Sequence, residues 1–553
     1  MHDFDKKVPE RKPVWLRVYT LLFHACWILI VVCAAWRRFS LPTEPLTDRD
    51  VWGYLSPSLV KMTTGAWVQT EGRAFIYPGF VYLVINTFRS LGAVTVLQHL
   101  LGLGTGVLLL ANWKSARRLL PQPLIPAMLH DVVGLGLMAI FLLSAQSIFS
   151  EHHLRPEGIA PFFTMLGFGF TIRFLLAKHI DLQPRRALWF GAASLAVAFL
   201  LPLLKPSYSL TSVLTTLPVW WHLFDRREKW TGRLAMAGVP ILAAWLLLWM
   251  PQSRYAAGDP RANTFLPASL FTIHAAQIRT QMAIDVNNPS AAVPYSHEQL
   301  QSILQLLDSE IEISRPTVHR GFASLGFNPD YLLYEDSFCH KLTNLIPERQ
   351  ARSDFYHFYF RRTWREQPGL MVHKFTSQLG LFYNLDCPVY AEKVSTLDRN
   401  YRDAYAFFSD RPAAMVARVP VAARYVASLP RLAEAHIIIA QPRMLKALMP
   451  ILAHSYLPGL LLAMAAFAWL LAEADIRAAC GRFATIVALG YAYNLGNNLA
   501  IALFHTLGIG RYSHVQMATT LLTEGLSLWF VIEVVTRKFA CARTPQKAAA
   551  VES

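Results

Sequence analysis

Ten blocks of predominantly apolar residues run along this chain, and they limit its fold more than any other feature. They occupy residues 14 to 36, 91 to 113, 129 to 149, 159 to 178, 187 to 206, 208 to 224 and 233 to 251, then 449 to 473, 482 to 506 and 513 to 535. A helix of about 20 residues, rising roughly 1.5 Å per residue, crosses a hydrocarbon core of about 30 Å. Composition agrees, with 54% hydrophobic and only 16% charged residues, where an ordinary soluble domain carries about 25% charged. The expected fold class is therefore an all-α polytopic membrane protein with about ten transmembrane helices. The first block is too long, and lacks the small-residue cleavage site, to be a removed signal peptide.

A net charge of +16 raises the question of nucleic acid, but no basic run is interleaved with stacking aromatics in a polar domain. Nucleic acid is not an expected partner. The basic residues fall instead in alternate short loops. Lys6, Lys7, Arg11, Lys12 and Arg17 crowd the N-terminus, followed by Lys114, Arg117 and Arg118, then Lys178, Arg185 and Arg186. Arg226, Arg227, Lys229 and Arg233, then Arg477 and Arg482, and finally Arg537 and Lys538 complete the series. By the positive-inside rule both termini are cytoplasmic. The apolar block from Ala74 to Phe88 would invert every later loop if it crossed, so it reads as interfacial or re-entrant.

From Pro251 to about Leu448 nothing is long and apolar enough to span. Residues 252 to 448 are expected to form one outer soluble domain, mainly helical because Ser296 to Ser309 and Ala413 to His436 carry helical spacing. The membrane module is 1 to 251, including a first outer loop at 37 to 90; three C-terminal helices fill 449 to 535, and 536 to 553 form a cytoplasmic tail. Of six cysteines, only Cys339 and Cys387 are placed to pair, and sequence leaves that open. No internal repeat of the transporter type is visible. Nor is there a Walker A, a dinucleotide-binding glycine motif or an HExxH, so nucleotide hydrolysis, hydride transfer and zinc proteolysis find no support.

The richest chemistry lies in the first outer loop: Asp48, Arg49 and Asp50, then Trp52, Tyr54, Gly65, Gly72, Arg73, Tyr77 and Pro78. A carboxylate just outside a membrane can deprotonate an acceptor hydroxyl or hold a divalent cation, while a neighbouring arginine neutralises a phosphate leaving group. The plain alternative is a solvated turn in which Asp50 caps a helix beginning at Val51. A second polar cluster, Glu151, His152, His153, Arg155 and Glu157, falls between spans three and four on the same side. It lines the same cavity or is a turn. Lys205 ends span five, and Arg511, Tyr512 and His514 lie between spans nine and ten, again on that side. An unpaired cation near lipid is costly, so Lys205 either binds phosphate or snorkels to headgroups. Asn494, Asn497 and Asn498 line one face of span nine, as interhelical hydrogen bonding requires, and Glu524 in span ten either pairs with them or lines a cavity.

In Asp48, Asp50, Tyr54, Gly65, Arg73, Tyr77 and Pro78, in order and at similar spacing, the chain resembles the polyprenyl-phosphate-dependent glycosyltransferases of the GT-C class. Protein mannosyltransferases and aminoarabinose transferases belong to that class. The resemblance covers residues 14 to 251 well and the rest in outline. It implies a GT-C-like fold with a periplasmic domain in a bacterial inner membrane. The implied activity is inverting transfer of a sugar from a polyprenyl-phosphate donor to a glycan, lipid or protein acceptor. The family's acidic pair is usually adjacent, whereas Arg49 intervenes here, so either Asp48 or Asp50 is the base; Asp50, four residues before Tyr54, is favoured. Arg73, Lys205 and Arg511 would bind the donor phosphate, and Tyr54, Tyr77, Glu151, His152, Glu157, Tyr512 and His514 would line the acceptor cavity. No cofactor is certain, a divalent metal remains an option, and its ligands are unknown. A transporter or flippase of lipid-linked glycans, or an O-antigen polymerase or ligase, would use the same charges differently.

Overall fold

The computed structural model describes residues 14–68, 73–225, 229–257, 265–288, 290–391, 395–410 and 412–549, with side chains described to 539. Lys6, Lys7, Arg11, Lys12, Gly72, Arg226 and Arg227 lie outside the described residues. The protein is an all-α polytopic membrane protein. Eight described helices are long and apolar enough to cross a bilayer: Val14–Phe39, Gly92–Arg117, Ala160–His179, Pro184–Leu204, Trp230–Ala257, Arg443–Ala472, Ala474–Phe504 and Met517–Phe539. A ninth is a pair, Ala127–Leu143 and Ala145–His152, bent by 46°. Ser144 has extended backbone between the two halves, and its hydroxyl donates to Gln146 Oε1 at 2.6 Å.

The expected sixth span is not one helix. It breaks into Ser209–Thr215 and Leu217–Leu223, because the Pro218 ring has no N–H and crowds the carbonyl four residues earlier. The segment nevertheless runs the full depth of its neighbour. It follows Lys205, whose Nζ donates to Glu157 Oε1 at 2.8 Å just before the Ala160–His179 helix. It ends at Asp225, 3.4 Å from Lys178 at the far end of that helix. A broken pair therefore accompanies a 20-residue helix from end to end, a further candidate crossing beside the eight single helices and the bent pair among the described residues. Ile76–Phe88, at 13 residues, is too short to cross; it packs on the Trp52–Thr64 helix and exposes Leu83 and Phe88.

Part of the polar stripe inside the bundle is paired between elements, whereas buried Asn497 has no side-chain hydrogen-bond partner among the described residues. Asn494 Nδ2 donates to the Tyr456 hydroxyl at 3.0 Å, and Gln516 Nε2 donates to Asn498 Oδ1 at 2.8 Å. Glu524 pairs not with the asparagine stripe but with Tyr390, from the outer region, and with Ser455.

The described residues between Phe265 and Glu434, which include no helix long and apolar enough to cross a membrane, form two helical lobes. The first, Phe265 to Glu366, has its own core, in which Phe271 stacks on Phe338 at 5.2 Å beside Ile303, Leu307 and Tyr359. Its His297–Ser314 helix shows why: Leu300, Ile303, Leu307 and Ile311 recur at helical spacing and are buried, and Ser296 caps the start by accepting from the Gln299 N–H. The second lobe, Leu397 to Glu434, buries Leu397, Tyr401, Phe408 and Leu429 against Leu46, Val51 and Leu55 of the first outer loop. Two-residue strands, Ser395–Thr396 and Ile438–Ile439, pair antiparallel at its base. Cys339 packs against the first lobe's core and Cys387 sits in the membrane-side cluster, and both are free thiols.

Candidate active site

The first outer loop is pinned from two sides. Leu46 forms a parallel bridge with His153: its N–H donates to the His152 carbonyl at 2.8 Å, and its carbonyl accepts from the Leu154 N–H at 3.1 Å. That stitch carries Arg155 to the loop. Asp48, rather than Asp50, is the cap: its Oδ1 accepts from the Val51 N–H at 3.0 Å and starts the short Arg49–Val51 turn that leads into Trp52–Thr64. Capping by Asp48 leaves the Asp50 carboxylate to face three arginines.

Arg511, on the short Gly510–His514 helix, donates to Asp50 Oδ2 at 2.7 Å. Arg73 donates to Asp50 Oδ1 at 3.1 Å and lies over the Tyr54 ring, 4.9 Å from its centre. Arg155 bonds Asp48 Oδ2 and stands 3.8 Å from Asp50 Oδ2. Burial raises the Asp50 carboxyl, but Arg511, Arg73 and Arg155 outweigh it and hold the group well below the usual carboxylate range. Next to this cluster, burial opposes the charge of Glu157, while Lys205, Arg511 and Arg155 bring its carboxyl down to about 2. Lys205 also lies over the Tyr512 ring at 4.5 Å. Three guanidiniums thus meet two carboxylates, and the Lys205–Glu157 pair adds nothing net. The cluster keeps an excess of one positive charge. Buried Nε atoms of Arg511 and Arg155 have no hydrogen-bond acceptor among the described residues.

These groups open on a cavity of about 2040 Å³. The first outer loop gives it Asp48, Asp50, Trp52 and Arg73; the segment between the last two spans gives His505, Arg511, Tyr512 and His514. The first lobe contributes His319, Arg320, Asp330 and Tyr334, and the second Phe407 and Arg418. Burial and the nearby Arg511 push the His505 imidazole down to about 3, so it is neutral at any physiological pH.

Of the residues singled out in the sequence, Asp48, Asp50, Arg73, Arg511, Tyr512 and His514 line the cavity together. Tyr54, Tyr77, Lys205 and Glu157 sit behind that wall. Tyr54 packs edge-on against Tyr77 at 5.4 Å, and the Tyr77 hydroxyl donates to Gln98 Oε1 at 2.7 Å. Glu151 and His152 are enclosed elsewhere. Arg38 donates to both Glu151 oxygens at 2.7 and 2.8 Å, His99 Nδ1 is 2.9 Å from Glu151 Oε2, and His152 lies between His99 and the Tyr401 hydroxyl. Sequence reasoning gave no task to Arg155, Asp330 or His505. Arg155 stood inside a stretch already suspect, but nothing near Asp330 beyond the helix-start pair Asn328 and Pro329 marked it. Among the described residues, no three His, Cys, Asp or Glu side chains gather to hold a metal ion.

No protein-family model matches the sequence, and no curated protein matches it either. Among solved structures it matches ArnT from Cupriavidus metallidurans bound to undecaprenyl phosphate, at 13% identity over 92% of this chain and 77% of that one, with a TM-score of 0.28. The same protein in the apo state gives 12% identity, the same coverage and a TM-score of 0.29. Superpositions of that quality carry no functional inference. The site has to speak for itself.

Proposed function

We propose that this protein is an inverting membrane glycosyltransferase of the GT-C type, which moves a sugar from a polyprenyl-phosphate donor to a cell-envelope acceptor. The observation that carries this reading is the excess positive charge, built from Arg511, Arg73 and Arg155, at the floor of a large cavity flanked by membrane helices. A sugar phosphodiester carries one negative charge, and its leaving phosphate carries two. Preorganised guanidiniums bind the second charge more strongly than the first, so they stabilise the departing phosphate over the bound donor.

The membrane geometry fits the substrate. With the broken pair read as a crossing, the basic ends of the helices, such as Lys114, Arg117 and Lys178, lie on the face opposite the cavity. The positive-inside rule then puts the termini in the cytoplasm and the cavity with both lobes in the periplasm of a bacterial inner membrane. A long isoprenoid stays in lipid while its phosphate reaches the arginines. The outer lobes select the acceptor through Arg320 and Arg418 at the cavity rim. Arg362, by contrast, is occupied inside the first lobe by a two-pronged bond to Asp285, 2.7 Å to each oxygen.

The test is transfer of radiolabelled sugar from a panel of polyprenyl-phosphate donors to cell-envelope extract by the purified chain. Label in a covalent product, absent from a mock preparation, is the expected result. Lipid-linked sugar moved across proteoliposomes without any covalent product would replace this reading with a flippase.

A further inference from the structure

Asp48 and Asp50, the two carboxylates of the first loop, have all four oxygens engaged. Asp48 Oδ1 accepts from the Val51 N–H and Oδ2 from Arg155, while Asp50 Oδ1 accepts from Arg73 and Oδ2 from Arg511. Asp48 is spent on the cap and on Arg155, and Asp50 is a weak base, because against the effect of burial Arg511, Arg73 and Arg155 stabilise its form without the proton. A third carboxylate, from the first lobe, lines the same cavity. Asp330 sits in the first turn of the Pro329–Tyr334 helix, whose start is fixed by Asn328: its Oδ1 accepts from the Asp330 and Tyr331 N–H groups at 3.1 and 3.2 Å. The backbone of Asp330 is thus anchored, yet its carboxylate makes no hydrogen bond or ion pair among the described residues.

From this division of labour we infer that Asp330 of the outer lobe is the group that takes the acceptor's proton, while Asp50 positions Arg511 and Arg73 for the donor phosphate. The assignment rests on the glycosyltransferase reading above. In the step, an acceptor hydroxyl oxygen forms its bond to the anomeric carbon of the sugar. The bond from that carbon to the phosphate oxygen breaks, its electron pair stays on the phosphate, and the hydroxyl proton passes to the Asp330 carboxylate. No metal or further reactant is needed for the balance.

Electrostatics supports the geometry. Burial, then the charge of Asp50, push the Asp330 carboxyl up to about 6, against the pull of Arg511 and Arg73. Glu335 and Asp336 stand at the same cavity, and Glu310 on the helix behind is held by Lys341 at 2.7 Å. A base near that value is half ionised at about pH 6, mostly ionised at neutrality, and strong enough to share a proton in the transition state, whereas Asp50 is not.

The experiment uses the full-length protein, the donor that gives transfer with wild type, and undecaprenyl phosphate as binding probe. Asp330→Asn should cut kcat about 100-fold or more while leaving undecaprenyl phosphate binding unchanged, and formate should restore activity to Asp330→Ala. Asp50→Asn should instead weaken binding of the probe. Wild-type kcat should fall as pH drops through about 6, as Asp330 takes up its proton and ceases to be a base. Transfer by wild type and Asp330→Asn at equal rates overturns the Asp330 assignment alone. Wild type that transfers from no donor overturns the function reading, and this assignment with it. If Asp330→Asn does not fold, the wild-type pH profile decides: a flat profile from pH 5 to 8 overturns the proposal.

Discussion

Two arginine–carboxylate clusters stand on either side of the first outer loop, and they differ in what is left over. In the enclosed cluster, the Arg38 side chain is 0% and Glu151 5% exposed, every oxygen of Glu151 is bonded, and Tyr401 ties the network to the second lobe by donating to the Glu44 carbonyl. In the open cluster, Arg511 is 29% and Asp50 35% exposed, the positive charge exceeds the negative, and a cavity adjoins it. The same residue types thus do two jobs. Saturation and burial make a joint between spans and lobe; surplus charge and access make a binding floor.

The comparison breaks most easily at Arg38. Arg38→Met leaves Glu151 buried with only His99 beside it, and removing one partner of a buried pair costs about 3 to 5 kcal/mol. The expected outcome is a large fall in the thermal midpoint of the detergent-purified protein, with recovery in the double variant Arg38→Met, Glu151→Leu. A single variant as stable as wild type would mean that the enclosed cluster is not a joint.

Arg511→Ala tests the other side. Loss of one preorganised donor to the developing phosphate charge should lower kcat/KM for transfer by about 100- to 1,000-fold, roughly 2.7 to 4 kcal/mol. Asp50 keeps Arg73, so the thermal midpoint should barely move. Arg511→Lys should recover only part of the rate, since an ammonium cannot bond Asp50 and the Tyr512 hydroxyl through a planar fork. A stability loss without a kinetic one would make the two clusters the same kind of object.

The two clusters also show how far the sequence could be read. Both lie in stretches that stood out as charge beside membrane spans, and the apolar blocks located eight helices directly because hydrocarbon imposes length and composition. Asp50, Arg73 and Arg511, far apart in sequence, meet in one hydrogen-bonded cluster. Which charges would be sealed was not legible. Glu151 and Asp50 look alike in sequence, and the difference is supplied by Arg38, at the end of the first span, and His99, within the second. Asp330 was hidden for the same reason: it comes from a lobe with its own core, and no local pattern encodes that this lobe shares a cavity with the first loop. The broken sixth span was missed because Pro218 sits in an otherwise apolar run, and a proline in such a run does not prevent crossing.

A third pair of the same chemistry sharpens the contrast with the smallest effect. Arg49 of the first outer loop reaches Glu335 of the first lobe at 3.4 Å, with side chains 62% and 53% exposed. It joins the same two bodies that face each other across the cavity, yet water screens it on all sides. A double-mutant cycle of Arg49→Ala and Glu335→Ala should give a coupling below about 1 kcal/mol, falling further at high salt. The enclosed Arg38 pair should resist salt under the same conditions. A coupling at Arg49 as large as that at Arg38 would show that the lobe is held by charge at the rim, and that burial is not what separates a joint from a binding floor.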